Sequence, residues 1–294
     1  MRPEFMIDYR SKTGIEHQKR NLENQDACFS EIQEGKNACL CIADGAGSKK
    51  HAALGAQQLV QKLCTTLMQN ASELFQKAEQ EISDFLSEKI HQLLREVAKA
   101  KNVEFRELSS TLLFTLTNGE TYITGHLGDG VILGEQGSKW SVLSFPQNGQ
   151  TARTTYLTTM PLLKNHLRIT KKDCKELNRI WMMTDGAMYA TFQPYFQLPK
   201  GHSLGKSILQ AAHKMTEDDA TYGWHGREKI HMPSQFDRAP LQPGTFISLR
   251  KCDSKTAEEQ QFEILDILGS GSSIISYRVK FLDTDMRTYF YVLK

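Results

Sequence analysis

Residues 38–47 read ACLCIADGAG, an apolar run that ends abruptly at Asp44 and a glycine. Consecutive apolar residues are typical of a strand that is buried on both faces, so residues 36–43 are predicted to form a central strand. The same pattern recurs as HLGDG around Asp129 and as WMMTDG around Asp185. A single Asp-Gly pair is an ordinary turn signal. Three of them after apolar runs predict a cluster of carboxylates.

The composition is that of a globular protein without strongly charged regions. The chain has 294 residues, of which 39% are hydrophobic, and a formal net charge of +2. Lys and Arg are mixed with Asp and Glu, so we expect neither a nucleic-acid nor a membrane partner. No apolar stretch reaches the roughly 20 residues that cross a bilayer, and the N-terminus lacks a signal-peptide core; a cytoplasmic location is therefore expected. The six cysteines include no Cys-x-x-Cys pair and are interpreted as buried structural thiols.

Two helical patterns follow the central strand, over residues 51–69 and 72–99. In both, apolar residues recur on one helical face, and Ser72 is predicted to cap the second helix. Asn118-Gly119 then separates two apolar strands, which is the strongest short signal for a β-hairpin. The order of strands, two helices, more strands and another helix favours sheets packed under helices over a regular βαβ repeat.

Acidic residues beside small residues recur at strand ends and turns. They are Asp26, Asp44, Asp129, Asp185, Asp218 and Asp219. Mg²⁺ and Mn²⁺ prefer oxygen ligands, and a glycine beside an acid lets a backbone carbonyl turn toward the ion. Carboxylates brought together without a cation would repel each other and take up protons. The set therefore predicts a centre of two metal ions about 4 Å apart, which would activate water and neutralise a phosphoryl group.

The ordered motifs NQDAC, CIADGAG, STLLFTLTNGETYITGHLGDGVIL, WMMTDGAM and EDDAT resemble those of the metal-dependent type 2C protein phosphatases, bacterial branch. The resemblance covers about residues 8–226 and is specific as an ordered set. It implies an α+β fold, a layered αββα β-sandwich flanked by helices, with two Mn²⁺ or Mg²⁺ ions at one end. It also implies hydrolysis of phosphoserine and phosphothreonine in a protein substrate, with a cognate Ser/Thr kinase as a further candidate partner.

The resemblance assigns the ligands of the two ions. Asp44 matches the acid that bridges both ions, and the Gly45 carbonyl matches a ligand of one of them. Asp185 and Asp218 match ligands of the other ion, and Asp219 is the second candidate for the position of Asp218. Asp44, Asp185 and Asp218 are thus the expected catalytic set.

Two further acids match the periphery of the implied centre. Asp26 matches an acid that often acts through water, and Asp129 matches one that helps to hold a third, looser ion. Gln25 stands where many members have Glu, and its neutral amide contributes no charge. The second ion is therefore expected to bind more weakly.

The residues for phosphate binding and proton donation depart from the family pattern. Asn21 stands where many members have an Arg that grips the substrate phosphate, so this role is assigned to Arg20, with His17 further upstream. Ala46 replaces a His of eukaryotic members, which leaves metal-bound water to protonate the leaving group. These departures keep a second interpretation open: a catalytically weak, phosphatase-like regulatory module that binds a phosphoprotein or kinase partner.

The C-terminal part is predicted to be separate from the phosphatase-like domain, residues 1–226. Residues 227–260 are rich in Pro, Gly and charge, which is typical of a linker or long loop. Residues 261–294 have the pattern of three strands and resemble the start of a protein kinase N-lobe, with a Gly-rich loop and an ATP-facing Lys294. A kinase activity is not expected, because the chain stops at that lysine. A β-strand appendage to the phosphatase is the alternative.

Overall fold

The predicted central strand forms as β3, Asn37–Asp44, and its residues 38–43 are fully buried. The other strands of its sheet are β2 (Asp26–Gln33), β4 (Leu112–Thr117), β5 (Thr121–Leu127) and β8 (Arg168–Asp173). All pairs are antiparallel, in the order β2-β3-β4-β5-β8. The predicted hairpin joins β4 to β5, with Gly119 at a φ of 87° that favours glycine.

A second antiparallel sheet faces the first. Its strands are β1 (Met6–Lys12), β6 (Val131–Gln136), β7 (Lys139–Ser144), β9 (Arg179–Met183) and β10 (Ala220–Gly226), in the order β1-β10-β9-β6-β7. Successive side chains of a strand point to opposite faces. Leu40 and Ile42 of β3 accordingly pack in the core between the sheets, while Cys39 and Cys41 pack in the core under the helices.

Helices cover both outer faces of the two sheets. They are α1 (Ile15–Lys19), α2 (Ala52–Gln69), α3 (Ala71–Leu74), α4 (Glu79–Lys101), α5 (Asp185–Thr191) and α6 (Leu204–Ala212). Helices α2 and α4 lie on the first sheet, and α5 packs against β9, β10 and α6. This architecture confirms the predicted αββα layering. Within the described ranges, no helix is both long and apolar enough to span a membrane.

The predicted cap of the long second helix was wrong. Ser72 lies inside the short α3, and α4 begins only at Glu79. The backbone N–H of Ala78 donates to the Glu81 carboxylate at 2.8 Å, so an acid in the first turn satisfies the helix start.

The structure is a computed structural model. It describes residues 5–33, 36–137, 139–147, 155–174, 177–192, 196–198, 203–212, 216–226, 246–250, 259–270 and 275–281. The chain divides into two units, Met1–Lys229 and Ile230–Lys294.

The second unit contains a three-stranded antiparallel sheet. Its strands, in spatial order, are β11 (Phe246–Arg250), β12 (Glu259–Ser270) and β13 (Ile275–Phe281). Strand β11 lies within residues 227–260, the range that was predicted as a linker. The predicted last strand, which ends at Lys294, lies outside the described residues, as does most of the predicted linker.

Candidate metal centre

The sandwich brings five of the predicted acids to one site. The register of β2 and β3 pairs Asp26 with Asp44, and β9 leads directly into Asp185. Burial raises the pKa of the Asp44 carboxyl well above its ordinary value, and the charges of Asp26, Asp185, Asp218 and Asp129 raise it further. Because such an effect needs close approach, these carboxylates form one cluster.

Asp26 is the most enclosed acid of the described cluster, with 8% of its surface exposed. Burial raises its pKa to about 7, the charges of Asp219 and Asp185 contribute, and the hydroxyls of Thr221 and Thr184 oppose the rise. Thr184 Oγ1 donates to Asp26 Oδ2 at 2.9 Å. The other carboxylate oxygen, Oδ1, is buried without a hydrogen-bond partner. A cation would satisfy this oxygen.

Burial likewise disfavours the ionised carboxylates of Asp185 and Asp129. Burial raises the pKa of Asp185 to about 7, and the charges of Asp129 and Asp218 add to the effect. One of its oxygens accepts the N–H of Gly186 at 2.6 Å. Burial also raises the pKa of Asp129, opposed by a hydrogen bond from a backbone N–H. A positive charge nearby would favour the ionised form of both acids.

The glycines that follow these acids lie against the backbone of a neighbouring segment. A Cβ added to Gly45 would lie 2.9 Å from a backbone atom of another residue. The corresponding distance is 2.7 Å for a Cβ on Gly130 and 2.1 Å for a Cβ on Gly186. No side chain fits at such distances. The recurring Asp-Gly pairs therefore serve the close packing of three turns, which brings their carboxylates together.

The adjacent acids Asp218 and Asp219 have different surroundings. Asp219 is 2% exposed, and its Oδ1 accepts the N–H of Gly14 at 2.7 Å. Its Oδ2 accepts the N–H of Gln25 at 2.6 Å and lies 2.8 Å from His17 Nδ1. Asp218 is exposed, and one of its oxygens accepts the N–H of Asp219 at 2.8 Å. Asp219 is thus committed to anchoring the N-terminal segment, whereas Asp218 keeps an oxygen available to a ligand.

The two predicted phosphate-binding residues lie on and next to α1. His17 is restrained by Asp219, and its side chain is 14% exposed. Arg20 is 69% exposed, and its Nη2 lies 3.9 Å from Glu16 Oε2. The described contacts bring His17 to the edge of the acidic cluster, whereas the ion-pair partner of the Arg20 side chain is Glu16. Both assignments stay predictions.

Two threonines that the sequence analysis did not single out hold the acids in position. The N–H of Asp44 donates to Thr111 Oγ1 at 3.0 Å, and the N–H of Thr111 donates to the Asp44 carbonyl at 2.8 Å. Thr184 orients Asp26, as described above. Both threonines lie inside the quoted motifs STLLF and MMTDG, and those motifs were the available signal, because neither threonine is adjacent in sequence to the acid that it holds.

Comparison with known proteins identifies the family. A model of the family described as Protein phosphatase 2C matches residues 13–217. Serine/threonine-protein phosphatase 3 of Escherichia coli strain K12 is 27% identical over 163 residues, which are 53% of this chain and 63% of that protein. The chain therefore spans less than two thirds of that relative's length.

Two solved structures share the fold. The crystal structure of a bacterial serine phosphatase is 12% identical, with a TM-score of 0.56, over 78% of this chain and 100% of that one. The catalytic domain of the serine threonine protein phosphatase PstP, solved with two manganese ions, is 14% identical, with a TM-score of 0.51, over 76% of this chain and 97% of that one. Because the family model covers more than half of its length, the chain belongs to the protein phosphatase 2C family.

Proposed function

We propose that the protein is a phosphoprotein phosphatase that hydrolyses phosphoserine and phosphothreonine with the help of two Mn²⁺ or Mg²⁺ ions. The observation that carries the proposal is the cluster of Asp26, Asp44, Asp129, Asp185 and Asp218, in which burial and mutual repulsion raise the pKa of Asp44. The Escherichia coli relative is a serine/threonine phosphatase, and the PstP structure holds two manganese ions. Both facts support the proposal.

The residues present fit divalent cations. The donor set consists of carboxylate and carbonyl oxygens, which hard cations prefer. The unpartnered Asp26 Oδ1 is buried at the site, and so is the unpartnered Oε1 of Gln25. We assign Asp44 and the Gly45 carbonyl to the two principal ions, with Asp185 and Asp218 as further ligands. Asp129 is assigned to a third, looser ion.

When bound, the ions would supply an activated water and neutralise the charge of the phosphoryl group. The protein's own groups place the ligands. Thr111 fixes the backbone of Asp44 from both sides, and Thr184 fixes the Asp26 carboxylate. Asp219 ties Gly14 and Gln25 to the site, which keeps the N-terminal segment next to the carboxylates.

Phosphate binding is assigned to Arg20 and His17. The ion pair between Arg20 and Glu16 is exposed, and its N–O distance of 3.9 Å is long, so the pair is weak. The guanidinium is therefore free to rotate toward a bound phosphate. His17 is positioned by Asp219, which leaves its Nε2 as the ring nitrogen available to a substrate. A cytoplasmic location and a cognate kinase as partner are further parts of the proposal.

The test is hydrolysis of p-nitrophenyl phosphate and of a phosphothreonine peptide, with and without MnCl₂. Asp44→Ala should abolish metal-dependent turnover while the variant still unfolds cooperatively. Glu88→Gln, an exposed carboxylate on α4, is the matched control and should keep wild-type turnover. Full activity in Asp44→Ala would refute the metal assignment.

A regulatory module is the second candidate, and Gln25 is the observation that favours it, since a neutral amide weakens the second ion. It would bind the phosphopeptide without turnover across a full titration with Mn²⁺ and Mg²⁺. That outcome, in a demonstrably folded protein, would replace the enzymatic proposal.

A further inference from the structure

A cleft of about 240 Å³ adjoins the carboxylate cluster, and the proposed function does not use it. Its polar lining consists of Lys49, Arg106, Ser109, Thr155 and Thr159. We call it the Lys49–Arg106 cleft.

The cleft shares its backbone with the metal centre. The N–H of Ala46 donates to the Ser109 carbonyl at 3.0 Å, and Gly45 forms a β-bridge with Ser110. On the other side, the carbonyl oxygen of Tyr156, the residue after Thr155, would lie 3.4 Å from a Cβ on Gly128, the residue before Asp129. A substrate held at the acidic cluster would therefore extend past these walls.

The charge of the cleft is opposite to that of the cluster. Lys49 is half-buried and Arg106 exposed, and neither forms an ion pair with a carboxylate in the part of the chain that the structure describes. Cations beside an apolar wall attract an anion more strongly than fully solvated cations do, because less water screens them. Leu157, Met160 and Pro161 form that wall.

The cationic wall is also rigid. Ser109 is 2% exposed, its Oγ donates to the Arg106 carbonyl at 2.7 Å, and it is hydrogen bonded to Thr159 across the cleft. The 3₁₀ turn that carries Arg106 lies so close to α2 that a Cβ on Gly55 would meet the Leu108 carbonyl oxygen at 2.2 Å. A preformed wall loses little conformational entropy when a ligand binds.

We propose that the Lys49–Arg106 cleft binds a second anionic side chain of the substrate, a few residues from the phosphorylated residue that is hydrolysed. The protein would thereby select phosphoprotein segments with acidic or doubly phosphorylated character. This inference rests on the proposed phosphatase function and deepens it.

The experiment compares kcat/KM for phosphothreonine peptides that differ only in their flanks: neutral, glutamate-containing, or carrying a non-hydrolysable phosphoserine analogue at each of several offsets. The last two arms distinguish a carboxylate from a phosphate as the anion. In the wild type we expect an anionic flank to raise kcat/KM about tenfold. Lys49→Gln and Arg106→Gln should each lower this ratio about threefold, and the double variant should bring it close to one.

The controls are Lys50→Gln and Lys101→Gln, which remove the same charge from exposed residues that do not line the cleft. Both should keep the wild-type ratio. A ratio near one in the wild type, an unchanged ratio in the double variant, or an equal loss in the controls would each overturn the proposal.

Turnover of p-nitrophenyl phosphate, which has no flanking groups, reports on the metal centre alone. If no substrate is hydrolysed with any metal, the proposed function has failed, and the cleft is then tested by binding. Fluorescence anisotropy of the glutamate-flanked peptide would support the cleft if binding is lost in the double variant and kept in Lys50→Gln. Absence of binding in the wild type would refute the cleft as well.

Discussion

Replacing Asp185 by Asn is expected to stabilise the metal-free protein. Burial and the charges of Asp129 and Asp218 raise the Asp185 pKa to about 7 from an ordinary 3.8. At pH 8 the folded protein must keep this carboxylate charged, which costs about 4 kcal/mol of the free energy of unfolding. The amide of Asn removes the charge but accepts the Gly186 N–H less strongly. We therefore expect a net gain of about 2 kcal/mol.

The sign of the effect fixes its pH dependence. A carboxyl group whose pKa is raised on folding does not change the free energy of unfolding below its unfolded pKa. As the pH rises from the unfolded pKa to the folded pKa, the group lowers the free energy of unfolding, and above the folded pKa this loss stays constant. The advantage of Asp185→Asn should thus be absent near pH 4, grow between pH 4 and about 7, and stay constant above that.

Urea unfolding, followed by circular dichroism, measures this prediction in EDTA and in MnCl₂. In EDTA at pH 8 the variant should have a higher midpoint than the wild type. Added Mn²⁺ should stabilise the wild type by mass action and the variant much less, since it lacks a proposed ligand. Glu88→Gln, an exposed change of the same kind, should behave like the wild type in both buffers.

Two results would contradict the reasoning. One is a variant that is less stable than the wild type in EDTA, because the repulsion inferred from the pKa of Asp185 would then be absent. The other is equal stabilisation of both proteins by Mn²⁺, because Asp185 would then not bind the ion.

Three further predictions concern packing and buried charge. Gly186→Ala should weaken Mn²⁺ binding, measured by calorimetry, at least tenfold, because the new Cβ would lie 2.1 Å from the backbone oxygen of Asp219. Gly47→Ala is the control, since its Cβ has room, and it should not weaken Mn²⁺ binding. Glu135→Ala should lower the free energy of unfolding by about 3 to 5 kcal/mol, because it removes a buried carboxylate that pairs with Arg179 at 2.9 Å and accepts the Trp181 Nε1–H at 2.8 Å; urea titration measures this, and a loss below 1 kcal/mol would contradict it. Burial lowers the pKa of His126 to about 3, so the folded protein keeps this ring neutral where the unfolded chain would protonate it. The free energy of unfolding should therefore fall by about 1.4 kcal/mol per pH unit as the pH drops below about 6.5. His126→Gln should therefore show a smaller decrease in stability from pH 7.5 to 5.5 than the wild type.

The local patterns predicted most of the architecture because they depend on nearby residues. The buried run before Asp44 and the Asn118-Gly119 turn each determine their element within a few positions, and both predictions are confirmed. Ser72 failed as a cap because an acid in the first turn of α4 satisfies the helix start instead.

Long-range contacts explain what the sequence could not show. In the adjacent pair Asp218 and Asp219, both acids look alike, and only the contacts with Gly14, His17 and Gln25 show which one is enclosed. These partners lie about 200 positions away along the chain, and no local period encodes such a distance.

The Lys49–Arg106 cleft also depends on a contact between residues far apart in the sequence. Lys49 and Arg106 lie far apart in the sequence and outside the quoted motifs, and neither has a sequence neighbour that indicates an anion site. Their proximity follows from the contact of Ala46 with Ser109, which joins the loop after β3 to the turn before β4.

The anchoring of the N-terminal segment by Asp219 also bears on the order in which the molecule is made. Gly14, His17 and Gln25 leave the ribosome long before Asp219, and β1 must wait for β10. A nascent chain therefore carries Asp26 and Asp44 without the segment that completes their surroundings. The site matures only when almost the whole of the first unit has been synthesised, so that an interrupted translation product would have no working centre.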